Sequence, residues 1–399
     1  MGSGKNHSLS YMRRFGLEYC SGREMETGTS PALKKGCFRK YLDSKQSGNN
    51  SQYGAGHQGL FPLFLFLICL AGCNSSMASQ QQTEEIEKQE IALPDTVEAQ
   101  PPAIAALDTL QYLELFNALT QKDDTTLWLS PQGLPNPGAI LPFYRIIAYY
   151  GNLYSKGMGV LGALPKEEML SKLQEETLKW QQADSLIPAK PALHYIAVTA
   201  QREPGRDGKY RLRMPGKEIE KVLDMAKSID ALVFLDIQVG HSRLQDEIPL
   251  LKDFLALPNV HLGIDPEYSM KDGSVPGRRV GTMDAEDINY ASEWLAQLVR
   301  EYHLPPKILV VHRFKKTMVT GYKDIMIRPE VQLVMNMDGF GSRGKKLTTY
   351  RYCITAEPVQ FAGFKLFYKN DTIDPAKPIV MQPDEVLALY PVPIYIQYQ

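Results

Sequence analysis

From about Leu107 onward, short apolar runs alternate along the chain with amphipathic segments. Eight runs of aliphatic, β-branched and aromatic residues each lead into a polar or glycine-rich tip. Between them apolar residues recur at helical spacing, as in the segment that follows Asp284. This alternation predicts an α/β fold in which strands and helices follow one another. The predicted strands are Arg145–Tyr150, Leu193–Thr199, Ala231–Gln238, Val260–Glu267, Lys307–His312, Val331–Asp338, Gly363–Tyr368 and Pro393–Tyr398.

Near-continuous apolar strands are typical of a parallel sheet that is covered on both faces. Eight strands within residues 105–399 fit a single (β/α)8 barrel of the TIM type. We expect this barrel to lack its final outer helix, and a helix at about Leu107–Thr120 would take that place. Pro165 is predicted to start a helix, and Ser242 and Asp284 are predicted N-caps. A doubly wound sheet is the alternative, but no glycine-rich phosphate loop follows the first strand.

An apolar run within residues 60–73 ends in Leu70-Ala71-Gly72-Cys73. The run is too short for a membrane-spanning helix, which needs about twenty apolar residues. Its length is that of a signal-peptide h-region followed by small residues. The ending resembles the bacterial lipobox, in which a peptidase cuts before a cysteine that carries lipid. The resemblance implies a lipid on Cys73; the alternative is a buried core segment with a structural cysteine.

This interpretation divides the N-terminal part of the chain into three segments. Residues 60–73 would be the h-region and lipobox, and residues 74–104 a disordered polar tether. Residues 1–59 form a doubtful extension, because a signal peptide usually starts within about fifteen to thirty residues of its h-region. We therefore predict a lipid-anchored protein of the cell envelope. Asn74 follows Cys73, without the aspartate of an inner-membrane retention signal, which favours the outer membrane if the cell has one.

Composition excludes some partners. The formal net charge of -1 gives no basis for nucleic-acid binding. Of the five cysteines, only Cys73 and Cys353 follow the predicted cut, so an exported protein would have no disulfide framework. The histidines are scattered, without Cys/His spacing typical of zinc sites, and no metal or cofactor is predicted. The sequence gives no indication of the oligomeric state.

Polar side chains recur where the predicted strands end, which is where barrel enzymes carry their catalytic groups. Asp265 and Glu267 are separated by one residue and, in an extended strand, would point the same way about 7 Å apart. Carboxyl groups that close disfavour simultaneous ionisation, which raises the pKa of one and suits it to act as an acid. Each such residue is also an ordinary turn or cap residue. The candidate substrate-binding residues are Asp236, Gln238, Tyr150, Tyr268, His312, Arg313 and Tyr368.

Two of these tips resemble those of family-18 chitinases. GIDPEY resembles the end of their Asp-x-Glu-Tyr signature, and VMNMDGFG is similar to their Met-x-Tyr-Asp strand. The resemblance implies that Glu267 protonates the glycosidic oxygen, while Asp265 and Asp338 orient and stabilise the acetamido group of the substrate. The chain departs from the family pattern at Val260, Gly263, Pro266 and Met337.

A broader resemblance begins at Tyr149. The segments YYGN…YSKGMG, FLDIQVG, IDPEY…VPGRRVGTMDAEDIN and KILVVHRF are similar to a family of uncharacterised bacterial surface lipoproteins. This resemblance implies export and a barrel.

Three functions stay open. The first is hydrolysis of glycans by paired-carboxylate acid/base chemistry, and the second is binding of glycans or envelope polymer without catalysis. Carboxylates paired with Arg278 or Arg279 would favour this second function. The third is metal-assisted hydrolysis of another bond, which is weakened by having one histidine at a strand end. Its ligands would be Asp236, Asp265, His312 and Asp338.

Overall fold

A computed structural model describes residues 104–120, 133–372 and 379–399. Eight parallel strands pair in chain order, and the eighth pairs with the first, so the sheet closes into a barrel. The predicted TIM-type barrel is confirmed. The strands are β1 (Arg145–Gly151), β2 (Ala189–Ala200), β3 (Leu232–Ile237), β4 (Val260–Ile264), β5 (Lys307–Arg313), β6 (Val331–Met337), β7 (Phe361–Leu366) and β8 (Tyr395–Tyr398).

Helices alternate with these strands. They are α1 (Thr109–Thr120), α2 (Val160–Ala163), α3 (Lys166–Ala183), α4 (Gly216–Lys227), α5 (Leu244–Glu247), α6 (Lys252–Leu255), α7 (Ala285–Tyr302), α8 (Arg343–Tyr350) and α9 (Pro383–Leu387). A π-helical turn, Arg351–Thr355, continues α8. Short strands add Arg211–Arg213, antiparallel to the end of β2, and a parallel pair, Met283–Asp284 with Val319–Thr320. No helix in these described ranges has the length and apolar character needed to cross a membrane.

Two of the three predicted helix starts are confirmed. Pro165 directly precedes α3. Asp284 caps α7 through a capping box: its Oδ1 accepts from the Asp287 amide at 3.1 Å, and the Asp287 carboxylate accepts from the Asp284 amide at 3.0 Å. Such a cap contributes about 1 kcal/mol to helix stability.

The third prediction, Ser242 as an N-cap, is wrong. Arg243 directly precedes α5, and the Ser242 hydroxyl instead donates to the buried carboxylate of Glu247. The predicted helix is also interrupted, because Pro249 lies in a 3-10 turn, Ile248–Leu251, that separates α5 from α6. Proline cannot donate a backbone hydrogen bond inside a helix, which accounts for the break.

The strands are buried on both faces, which is why they read as apolar runs. Every residue of β1, β5 and β6 is buried. The first helix packs near β7, where Phe116 meets Phe361 edge to face at 5.5 Å between ring centroids. It also reaches the segment before β8, since the Leu119 carbonyl accepts from the Val392 amide at 2.9 Å. These contacts place the helix against the start of β7 and the segment before β8, near the amino-terminal ends of these strands. That it takes the place of the eighth outer helix stays a prediction.

The predicted N-terminal segments, 1–59, 60–73 and nearly all of 74–104, lie outside the described residues. The chain segment predicted as the barrel, 105–399, contains all eight barrel strands.

Candidate functional site

Successive side chains of a strand point to opposite faces, so each barrel strand offers one set to the interior and one to the helices. Near the carboxyl ends of the strands the interior set is polar and buried. We call six of these residues the inner cluster: Tyr150 on β1, His194 on β2, Asp236 on β3, His312 on β5, Asp338 directly after β6, and Lys365 on β7. The strand β4 contributes Gly263, which lies beside them.

Asp236 is the centre of the inner cluster and is fully buried. The Tyr150 hydroxyl donates to its Oδ2 at 3.0 Å. Nε2 of His194 lies 3.2 Å from Oδ1, and Nε2 of His312 lies 3.4 Å from the same oxygen. Burial alone would raise the pKa of this carboxyl, but the two imidazoles outweigh it and hold the pKa well below its usual range.

His312 bridges two carboxylates. Its Nδ1 donates to Asp338 Oδ2 at 2.8 Å, while its other ring nitrogen faces Asp236. Burial lowers the pKa of His312, but the two carboxylates outweigh burial and raise that pKa to about 10. The ammonium of Lys365 lies 3.1 Å from Asp338, so this carboxylate has two cationic neighbours. They overcome its burial and lower its pKa.

His194 has the opposite electrostatic state. Burial lowers its pKa to about 4, and the hydrogen bond to Asp236 only partly offsets this effect. Its Nδ1 lies 2.6 Å from the Tyr395 hydroxyl, which also accepts from Gln397 at 3.1 Å. The inner cluster therefore holds one imidazole that favours the charged form and one that stays neutral.

The tip of β4 differs from its predicted geometry. The strand ends at Ile264, and Pro266–Tyr268 form a 3-10 turn that Asp265 caps, with its Oδ1 accepting from the Glu267 amide at 3.0 Å. The expectation that Asp265 and Glu267 extend in parallel along a strand is therefore wrong. Proline sets the backbone angle for the first position of a turn, which starts the turn one residue after β4 ends.

Asp265 connects this tip to the inner cluster. The Gln238 side chain donates to Asp265 at 3.4 Å and to the Tyr150 hydroxyl at 3.3 Å. Burial raises the pKa of Asp265 to about 7; Asp236 and Asp338 add to that rise, and His312 opposes it.

Glu267 lies at the rim and is half-buried. Burial, followed by the charges of Asp265 and Asp338, raises the pKa of Glu267 to about 8. Its neighbour Tyr268 is also half-buried, and burial next to Glu267 raises the pKa of that phenol well above its usual value. At neutral pH the rim therefore presents a protonated carboxyl group beside an aromatic ring.

Two predicted binding residues, Arg313 and Tyr368, do not join this site. Arg313 follows His312 by one position, so it points to the helices, where its guanidinium contacts Glu357 and the Cys353 carbonyl. Tyr368 contacts the outward side of the barrel. Its hydroxyl lies 3.0 Å from that of Tyr149, and its ring stacks on Tyr398 at 5.1 Å.

The basic loop after the β4 tip does not neutralise the rim carboxylates. Arg278 is exposed, and Arg279, also exposed, lies 3.8 Å from Asp272 on the same loop. The pKa values of Asp265 and Glu267 are therefore set by burial and by the charges of the inner cluster.

Sequence reasoning missed four interior residues: His194, Lys365, Tyr395 and Gln397. His194, Lys365 and Tyr395 stand three or more residues before the ends of their predicted strands, whereas the candidates were chosen at or near strand ends. The available signal was the alternation of side chains along a strand, because residues two positions apart face the same side. Lys365 is two residues from Gly363, and both face the interior. A charged residue inside an apolar strand requires a buried partner when the sheet is covered on both faces.

No protein-family model matches this sequence, and no curated protein sequence matches it. Among solved structures, a ruminal GH26 endo-β-1,4-mannanase aligns with 64% of this chain at 10% sequence identity and a TM-score of 0.32. The alignment covers 58% of the mannanase, less than two thirds of its length. The assignment of the barrel rests on the strand pairing of this chain.

Proposed function

We propose that this protein is a membrane-anchored, extracytoplasmic lipoprotein whose barrel hydrolyses glycans, with Glu267 as the general acid. The supporting observation is the position and protonation of Glu267. It lies at the barrel rim, is half-buried, and has a pKa of about 8 because of burial and the adjacent Asp265. A catalytic acid needs to keep its proton near the working pH and release it in the transition state.

The neighbouring carboxyl groups have distinct roles in this proposal. Asp265 accepts from the Glu267 amide at 3.0 Å, so it fixes the turn that carries the acid and also raises the pKa of that acid. Asp338 is held by Lys365 and His312, which keep its oxygens in place at the end of β6. By the chitinase resemblance, Asp265 and Asp338 would orient the acetamido group of the sugar.

Aromatic and amide groups would position the substrate. Tyr268 offers a half-buried ring next to Glu267, and aromatic faces pack well against sugar rings. Gln238 and Tyr150 lie one layer below and connect Asp265 to Asp236. Their role is to hold the carboxylates of the mouth in fixed positions.

The test is cleavage of a panel of β-linked glycans, with and without N-acetyl groups, by purified full-length protein in detergent. New reducing ends are measured at neutral pH. Glu267→Gln keeps the shape of the side chain but has no transferable proton, so turnover should fall by about 10²–10⁴-fold. The control is Glu286→Gln, because Glu286 is exposed in the first turn of α7.

Full turnover in Glu267→Gln would contradict its role as the acid. Glycan binding without cleavage, by both the parent protein and the variant, would favour the alternative of a non-catalytic binding lipoprotein. Neither binding nor cleavage across the panel would contradict both functions.

The anchor is proposed from Leu70-Ala71-Gly72-Cys73. Mass spectrometry of the membrane form should find a lipid-modified amino terminus at Cys73, and Cys73→Ser should carry no lipid and keep the Leu60–Ala71 segment uncut. An intact Leu60–Ala71 segment in the mature protein would contradict the anchor.

A further inference from the structure

Three buried side chains from different strands converge on one point beneath the mouth of the barrel. Nε2 of His194 and Nε2 of His312 lie 3.2 Å and 3.4 Å from Oδ1 of Asp236. The three ligand-type atoms all lie within 4.8 Å of one another. We propose that these residues bind one divalent transition-metal ion such as Zn²⁺. This proposal is independent of glycan hydrolysis.

The separations match those expected around a single ion. Zinc bonds to histidine nitrogen and carboxylate oxygen are about 2.1 Å long, so neighbouring ligands in a tetrahedron are about 3.4 Å apart. Both nitrogen-to-oxygen distances, 3.2 Å and 3.4 Å, are close to that value. Two imidazoles and one carboxylate are also a ligand set suited to divalent first-row metals.

The opposite ends of the three ligands are already held by other groups. Nδ1 of His312 donates to Asp338 at 2.8 Å, and Nδ1 of His194 lies 2.6 Å from the Tyr395 hydroxyl. The second oxygen of Asp236 accepts from the Tyr150 hydroxyl at 3.0 Å. Metal-bound histidines characteristically use the other ring nitrogen in this way, which fixes the tautomer and the ring orientation.

The atom aimed at the proposed ion is unsatisfied. Nε2 of His312 is buried and has no hydrogen-bond partner, although Asp236 Oδ1 lies 3.4 Å away. In the ranges that the structure describes, no lysine or arginine forms an ion pair with Asp236. A buried polar atom without a hydrogen-bond partner is costly. A metal ion would displace the proton of His312, because an imidazole binds metal in its neutral form. A divalent ion between them would satisfy both groups.

Gly263 leaves the side of the site toward β4 free of side-chain atoms. A Cβ at this position would lie 2.4 Å from both Asp236 Oδ1 and His194 Nε2. Any larger residue would therefore enter the space where the ligand atoms meet. The metal hypothesis drawn from the sequence shares Asp236 and His312 with this site, but it named Asp265 and Asp338 and omitted His194 in the middle of β2.

The experiment counts metal ions on the full-length protein. The protein is stripped with a chelator, equilibrated with Zn²⁺, and measured by elemental analysis and titration calorimetry. One ion per chain is expected. Asp236→Asn and His194→Gln should each weaken binding by more than about 100-fold, because losing a supporting partner alone costs about 10–100-fold. His303→Gln is the control for surface histidines, since His303 is exposed at the end of α7.

A milder variant covers the case in which ligand variants do not fold. Tyr395→Phe removes only the hydroxyl next to His194, so Zn²⁺ affinity should fall by about 10–100-fold, and the visible spectrum of bound Co²⁺ should change. Fewer than one ion per parent chain at saturating Zn²⁺ would overturn the proposal. The site would then hold a proton on His312 in place of a metal ion. Unchanged affinity in folded Asp236→Asn or Tyr395→Phe would also overturn it.

Discussion

Two polar groups of residues lie on opposite faces of the same barrel strands. Tyr150 and His312 point into the barrel and lie against Asp236. Their sequence neighbours Tyr149 and Arg313 point to the outer layer, where they meet Tyr368 and Glu357. All four residues stand at or near the ends of their strands. Parity along the strand, rather than closeness to its end, therefore decides which residue joins the site.

The two faces also differ in how their charges are balanced. On the outer face, Arg313 contacts Glu357 and three backbone carbonyls, which together tie β5 to the segments around it. On the inner face, His312 and Lys365 share Asp338, and His312 also faces Asp236. Each group has one buried nitrogen without a hydrogen bond, Nε of Arg313 on the outer face and Nε2 of His312 on the inner face. They differ in their partners, because the other nitrogens of Arg313 reach a carboxylate and three carbonyls, whereas Nε2 of His312 faces only Asp236 among the groups named here.

The largest predicted effect is on stability at the outer face. Glu357→Ala leaves the buried guanidinium of Arg313 without its counter-ion, so the free energy of unfolding should fall by about 3–5 kcal/mol. Urea unfolding measures this change. The matched control is Lys316→Ala, because Lys316 pairs with the same carboxylate but is 34% exposed, and its loss should cost much less. Loss of glycan cleavage or Zn²⁺ binding in folded Glu357→Ala would contradict a purely structural role for the outer face.

The second prediction is that the two faces respond oppositely to pH. Glu267 has a pKa of about 8 in the folded protein against an ordinary value of 4.5. Between these pH values the folded state holds a proton that the unfolded chain has lost, so stability should fall as pH rises. The pKa of Glu357 is lowered by Lys316 and Arg313 despite burial, so its contribution should be lost as pH falls below about 4.5.

Urea unfolding from about pH 2 to pH 9 should separate these contributions. Glu267→Gln should reduce the decline between about pH 4.5 and 8 and leave the acid limb in place; Asp265 and His312, whose pKa values are also raised, keep part of the decline. Glycan cleavage by the parent protein should also decline above about pH 8, as the acid loses its proton. An unchanged stability profile in Glu267→Gln would show that this group does not titrate in that window.

The sequence predicted the barrel because strand and helix periodicities recur eight times with recognisable helix starts. It predicted the Asp265–Glu267 tip as a site with a raised pKa, but it missed the turn that Pro266 starts. It placed Arg313 and Tyr368 at the site, although both point outward. A strand that is covered on both faces is apolar on both, so the apolar run does not show which alternate residues face inward. His194 and Lys365 were missed for the same reason, as their partners lie on distant strands.

The third prediction concerns space at the inner face. Gly263→Ala would place a methyl group 2.4 Å from Asp236 and His194, so the free energy of unfolding should fall by about 1–3 kcal/mol. Gly344→Ala is the control on α8, where nothing lies within 4 Å of the added methyl group. That change should stabilise the helix by up to about 1 kcal/mol. Equal stability of the two variants by thermal unfolding would mean that the side chains of the inner cluster move away from the added methyl group at little cost.

The smallest predicted effect tests parity most directly, because the same substitution is made at adjacent residues. Tyr149→Phe removes a hydrogen bond between two neutral hydroxyl groups and should cost about 1 kcal/mol of unfolding free energy. Tyr150→Phe removes a donor to the buried carboxylate of Asp236 and should cost about 1.5–3 kcal/mol. Only Tyr150→Phe should also change function at the mouth, since Tyr150 connects Asp236 to Gln238. Equal losses of stability and function in the two variants would show that the faces are not energetically distinct.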